Sequence, residues 1–210
     1  MGGLRNSLSN KMRIGIFGGT FDPPHLGHLI LAAEARYQLK LDRLLFVLTP
    51  DPPHKQGQRI TALHDRLEMI QAAIAHDPSF QLSRVDIHRP GPHYSLDTVN
   101  FLQEQYPEAA LVFLMGGDSL HDLPTWYHPR EFVEACDAIG VMHRADEEFD
   151  LGELEKVIPN ISDKVEFIKA PLLEIASTEL RARIREGRPY CYYLPKEVCE
   201  IIDERGLYRK

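Results

Sequence analysis

Residues 18 to 28 read Gly18-Gly19-Thr20-Phe21-Asp22-Pro23-Pro24-His25-Leu26-Gly27-His28. Glycines carry no Cβ, so the backbone amides around Gly18, Gly19 and Thr20 can come close to an anion. The helix predicted to follow aims its free N–H groups the same way, a disposition that favours phosphate. His25 and His28 are three residues apart and share a helix face, which adds two imidazoles at its first turn. Gly27, between them, removes bulk where a base or ribose could lie. The stretch has no Lys-Ser/Thr pair after its glycines and no third glycine at the required offset, which weakens kinase and dehydrogenase readings. Zinc needs three or four ligands, and no further His/Cys/Asp cluster stands at supporting spacing. For the pair alone, a helix cap or a solvent-facing surface is the simpler reading.

The elements that must position these residues alternate regularly. Met12 to Phe17 is an apolar-rich strand stopped by the glycine pair, and Leu26, Leu29, Ile30, Ala33 and Tyr37 trace the inward face of a helix running to about Lys40. Leu44 to Leu48 is a second strand whose unbroken apolar character suits a parallel strand covered on both faces. Pro50 to Arg59 reads as a loop. Thr61 is placed to cap a helix whose inner face is Leu63, Leu67, Ile70 and Ile74. A strand is expected around Arg84 to His88, then a helix over Tyr94 to Tyr106 with Ser95 as its cap. Ala110 to Met115 is another apolar strand, ending in Gly116-Gly117. Further strands are predicted at Ala138 to Met142 and Val165 to Ile168, with helices at Leu151 to Val157, from a Ser177 cap to about Arg185, and after Pro195. This alternation implies an α/β fold: a doubly wound parallel sheet in three layers, α/β/α, binding its ligand beyond the C-terminal strand ends. Residues 12–210 are expected to form one domain, preceded by a frayed extension over residues 1–11.

Composition narrows the ligand class. The 210 residues are 43% hydrophobic and 26% charged, as in ordinary globular proteins. A formal net charge of −7 argues against nucleic acid or an anionic membrane as partner, so an anionic ligand must meet a local positive site. The longest apolar runs, Leu44 to Leu48 and Ala109 to Met115, fall far short of the ~20 residues that span a bilayer. Cys136, Cys191 and Cys199 are an odd number without CxxC spacing, which points to free thiols and a reducing, cytoplasmic setting.

The stretch from Gly18 to His28 resembles the GG(T/S)FxPxHxGH signature of the HxGH nucleotidyltransferase superfamily. Within it, the chain from Met12 onward is similar to the bacterial nicotinate-mononucleotide adenylyltransferases. The similarity extends to Pro53-His54-Lys55, Tyr94 to Thr98, Gly116 to Leu120, Trp126-Tyr127, and Ile175 to Arg181. The last resembles the ISSTxxR motif, from which it departs by carrying Ala176 for the first serine. The resemblance implies a Rossmann-like nucleotidyltransferase fold and an enzyme that joins the AMP part of ATP to nicotinate mononucleotide, releasing pyrophosphate. By the matched positions, His25, His28 and Arg181 are the catalytic residues. Gly18, Gly19, Thr20, Phe21, Gly27, Gly116, Asp118, Ile175, Ser177 and Thr178 meet ATP. Lys55, Thr98, Trp126 and Tyr127 meet the mononucleotide. Mg²⁺ is implied as cofactor, held by phosphates and water with no side-chain ligand. The alternatives are a related adenylyltransferase for nicotinamide mononucleotide or pantetheine phosphate, and a nucleotide sensor without catalysis. Oligomeric state is not readable from the sequence.

Overall fold

The computed structural model describes residues 11–51, 60–143, 150–171 and 173–209. Six parallel strands form one sheet: β1 (Arg13–Gly19), β2 (Arg43–Leu48), β3 (Phe80–Ser83), β4 (Ala110–Gly116), β5 (Ala138–His143) and β6 (Val165–Lys169). Their order across the sheet is β3-β2-β1-β4-β5-β6. β1 pairs with β2 (Ile16 opposite Leu45) and with β4 (Ile16 opposite Phe113). The winding therefore reverses between β1 and β4, and a crevice opens beyond their C-terminal ends. Gly19 and Gly116 end the two strands that flank it.

The helices are α1 (Leu26–Gln38), α2 (Leu63–Ile74), α3 (Ser95–Gln105), α4 (Gly117–Asp122), α5 (Pro129–Ala135), α6 (Leu151–Val157), α7 (Ile161–Lys164), α8 (Ser177–Arg185) and α9 (Lys196–Arg205). They cover both faces of the sheet. Leu44, Phe46 and Leu48 of β2 pack with Leu31 and Ala35 of α1, Met69 and Ile70 of α2, Ile184 of α8 and Ile202 of α9. Leu45 and Val47 point the other way, into a layer with Leu102 of α3, Leu120 of α4, Phe132 of α5 and Ile161 of α7. Alternate residues of one apolar run thus feed opposite cores, which is why the run shows no polar alternation. No helix among the described residues is long and apolar enough to cross a membrane.

Four local expectations are corrected. The buried stripe of α1 is Leu31, Ala32 and Ala35, while Ala33 is exposed and Tyr37 is 82% exposed. The helix is rotated from the expected register because His25 and His28, at its start, take the inward side. The third strand is Phe80–Ser83 rather than Arg84 to His88; the latter residues form a turn closed by the Ile87 and His88 amides donating to the Arg84 carbonyl. Thr61, Ser95 and Ser177 are not side-chain caps, since Ala62, Tyr94 and Ala176 occupy those positions. Finally, Cys191 and Cys199 are joined as a disulfide with Cα atoms 5.4 Å apart, leaving Cys136 as a buried thiol. The turn into α9 brings those two sulfurs together, a proximity that residue spacing does not announce. Residues 1–10 and Lys55 lie outside the described residues.

Candidate active site

A cavity of about 510 Å³ opens at the reversal of the strand order. Residues of three segments, Thr20 to His28, Gly116 to Asp118 and Ile175 to Arg181, line it together with Phe17, Met142 and the approach to α8 from Ala170. It therefore unites Thr20, Phe21, His25, Gly27, His28, Gly116, Asp118, Ile175, Ser177, Thr178 and Arg181, which the sequence scatters over 160 positions. Gly18 and Gly19 stand just behind it as the last residues of β1.

The left-handed turn after β1 is taken by Phe21 (φ 48°), not by a glycine. What Gly19 provides is clearance, because a Cβ there would meet the Phe21 ring at 2.9 Å. That ring is buried and packs edge-on to Phe17 and His28, with centroids 5.5 and 5.1 Å away. Gly27 has a comparable duty. A Cβ on it would press on the His25 ring at 3.0 Å, so glycine lets that imidazole lie flat against the helix start.

His25 is the N-cap of α1, and its amide donates to Nδ1 of His28 at 3.1 Å, as in one half of a capping box, while the His28 amide donates to the His25 carbonyl at 2.9 Å. The rings stack with centroids 3.6 Å apart. Because Nδ1 of His28 accepts a backbone N–H, that ring carries its proton on Nε2. His25 is 6% exposed, and burial pushes its pKa down to about 4. Its Nδ1 is buried without a hydrogen-bond partner, so Nε2 is the nitrogen left to meet a ligand. The helix start and one neutral imidazole thus offer N–H donors to an anion without adding a competing buried charge.

Two testable consequences follow from the low His25 pKa. Its ring resonances in the nucleotide-free protein should keep their neutral-form positions from about pH 8 to about pH 5 in an NMR titration, with a midpoint near 4. A midpoint near 6.5 would contradict the burial described. The sign for stability is fixed as well. The unfolded chain takes up this proton below pH 6.5 and the folded one only near 4. Acidification through that window therefore removes stability, on the order of 3 kcal/mol when complete.

The far wall is set by α8. Arg181 donates from Nη1 to the Asp22 carbonyl at 2.7 Å and from Nη2 to Thr178 Oγ1, and Ser177 donates to the Pro23 carbonyl at 2.9 Å. Those bonds tie the start of α8 to the segment before α1 and hold a guanidinium over the cavity with no carboxylate partner among the described residues. Ala176 offers no hydroxyl, and its place is that of the N-cap. Asp118 sits exposed in the first turn of α4, where its carboxylate faces the cavity mouth.

Of the residues assigned to the mononucleotide, the three that are described, Thr98, Trp126 and Tyr127, do not line this cavity. The Thr98 hydroxyl is buried and donates to Asp86 Oδ1 at 2.8 Å, within a network that includes Arg89 and His93. Trp126 packs against Phe132 and Phe113, with centroids 5.3 and 6.2 Å away. Tyr127 is 47% exposed and stacks on Tyr94 at 4.1 Å. The sequence reading overlooked Arg66, whose buried guanidinium donates to the carbonyls of Thr20, Thr49, Pro50 and Thr61. It also overlooked Tyr208, which reaches Asp22 from the C-terminus.

Residues 16–183 match the cytidylyltransferase-like family. A probable nicotinate-nucleotide adenylyltransferase of Thermomicrobium roseum is 46% identical over 94% of this chain and 92% of its own length. The nicotinate-nucleotide adenylyltransferase of Bacillus subtilis is 39% identical over 93% of this chain and 98% of its own. Among solved structures, nicotinic acid mononucleotide adenylyltransferase of Plasmodium falciparum complexed with NaAD superposes with a TM-score of 0.76. It is 21% identical, with 93% of this chain and 97% of that one covered, and shares the fold. With both sequence relatives spanning nearly the whole chain, this protein belongs to the nicotinate-nucleotide adenylyltransferase family, within the cytidylyltransferase-like proteins.

Proposed function

We propose that the protein joins nicotinate mononucleotide to the AMP part of ATP, giving deamido-NAD and pyrophosphate. The observation that carries this reading is the convergence of the His25–His28 pair, the Gly116–Asp118 turn and the Ser177–Arg181 segment on one cavity. The acceptor's 5′-phosphate oxygen attacks the α-phosphorus of ATP in line, that P–O bond forms, and the bond to the β-phosphate oxygen breaks with its electron pair leaving on pyrophosphate. Both reactants are anions, so the work of the protein is alignment and offsetting charge. The amides at the start of α1 and the two imidazoles meet phosphate oxygens. Arg181 grips the departing pyrophosphate with a planar fork that lysine could not copy. Asp118 accepts from the ribose hydroxyls, and Gly116, with nothing within 4 Å of where its Cβ would be, leaves room for adenosine.

The donor set suits a metal carried in by the nucleotide. The buried carboxylate of the cavity, Asp22, is already engaged by the Thr61 amide and the Tyr208 hydroxyl. Mg²⁺ held by phosphate oxygens and water would add charge neutralisation there.

Incubation with ATP, Mg²⁺ and one acceptor at a time, followed by pyrophosphate release, tests this. Nicotinate mononucleotide should support release, and pantetheine phosphate should not. Release with pantetheine phosphate alone would overturn the acceptor assignment, and none with any acceptor would overturn catalysis.

A further inference from the structure

We propose that Tyr208, the third residue from the end of the sequence, is a positioning residue for ATP that acts through Asp22 on the segment holding Arg181. Beyond α9 the chain turns back through Gly206 (φ 60°), with the Leu207 amide donating to the Ile202 carbonyl at 3.0 Å. Tyr208 is itself left-handed (φ 63°), an unusual setting for a residue with a side chain. The reversal delivers its hydroxyl to Asp22 Oδ1 at 2.7 Å. Burial, and then the Asp22 carboxylate, push the phenol above its ordinary range, so it stays protonated and donates.

Asp22 is the junction on which the cavity wall turns. It is 4% exposed, and its other oxygen accepts from the Thr61 amide at 3.2 Å. Its backbone carbonyl accepts from Arg181, and the carbonyl of the next residue, Pro23, accepts from Ser177. Tyr208 and Thr61 therefore anchor the side chain of Asp22 on one side, while α8 hangs from its backbone on the other. Removing the phenol hydroxyl leaves a buried carboxylate oxygen without its donor, and the cheapest relief is for Asp22 to shift. That shift moves the Asp22 carbonyl and Arg181 with it, on the ATP side. Among the described residues, the bonds and ring contacts of Thr98, Trp126 and Tyr127 run instead to Asp86, Phe132 and Tyr94.

The inference rests on the reading of Arg181 as an ATP-phosphate group. Its test is steady-state kinetics of the full chain with both substrates varied, for Tyr208→Phe, Asp22→Asn and the double variant. Tyr208→Phe should lower kcat/KM for ATP about 10-fold while the KM for nicotinate mononucleotide stays within about two-fold, and melting should fall by only a few degrees, the cost of one lost donor with the ring kept. If Tyr208 works through Asp22, the double variant should be no worse than Asp22→Asn alone. Unchanged ATP kinetics in Tyr208→Phe, equal losses for both substrates, or additive losses in the double variant would each overturn the proposal. A wild-type chain that releases no pyrophosphate would instead refute the functional reading, so the two failures are separable.

Discussion

Replacing His28 with alanine is expected to lower turnover about 10²- to 10³-fold, the usual effect of deleting one donor to developing phosphate charge. The structure separates that effect from folding. His28 also accepts from the His25 amide, so its loss removes a helix cap worth ~1 kcal/mol, or a few degrees of melting temperature in a chain of this size. His28→Asn supplies the control. A short amide oxygen can accept the His25 N–H in place of Nδ1, yet it cannot carry a donor to where Nε2 lies. The asparagine variant should melt close to the wild type and remain as slow as the alanine variant. If it recovers turnover, the ring's task is to hold the helix start, and phosphate contact must be assigned elsewhere.

His25 shows why the two imidazoles are not equivalent. Its ring is wedged between His28 and Gly27, and the absence of a Cβ on Gly27 is what allows the stack. Burial keeps it uncharged at neutral pH, so it contributes a dipole and one N–H rather than a cation. Among the described residues that line the cavity, the fixed positive charge is that of Arg181, on a different helix and bonded to the Asp22 carbonyl. A triphosphate would then be held between a helix start and a guanidinium, with the α-phosphorus accessible from the side that neither occupies.

The sheet was legible from residue patterns because β1, β2, β4 and β5 are buried on both faces, and such strands must be continuous apolar runs. β3 was misplaced because it is an edge strand of four half-buried residues, Phe80–Ser83, without the run that marks the others. The face of α1 was misjudged for a related reason: its hydrophobic residues nearly encircle it, and the decision among registers belongs to the imidazoles at its start. Of the candidate site, the part written as contiguous motifs could be read, namely Thr20 to His28, Gly116 to Asp118 and Ile175 to Arg181. What could not be read is the layer behind it. Arg66 and Tyr208 contact the cavity segment across 46 and 186 positions of sequence, and a lone arginine on a helix or a tyrosine near a terminus has no local signature.

That hidden layer carries the largest expected loss of stability. Arg66 is 2% exposed, and burial pushes its guanidinium below the ordinary arginine range against the opposing pull of Asp22 and Asp51. Nε donates to Thr61, Nη1 to Thr20 and Thr49, and Nη2 to Pro50, at 2.9, 3.2, 3.0 and 2.9 Å respectively. These carbonyls belong to the segments that follow β1 and β2, so one side chain fastens together the chain leaving two adjacent strands. Arg66→Ala strands four acceptors and opens a void beside Asp22, and should destabilise the fold by about 3–5 kcal/mol, or roughly 10 °C in melting temperature. Arg66→Lys keeps the charge, but a single ammonium cannot reach carbonyls spread around a planar fork, so it should recover only part of the loss. Chemical denaturation of the three proteins at neutral pH measures this directly. A loss below about 1 kcal/mol for the alanine variant would mean that water replaces the guanidinium at those carbonyls, and that the turn carrying Thr20 is held without it.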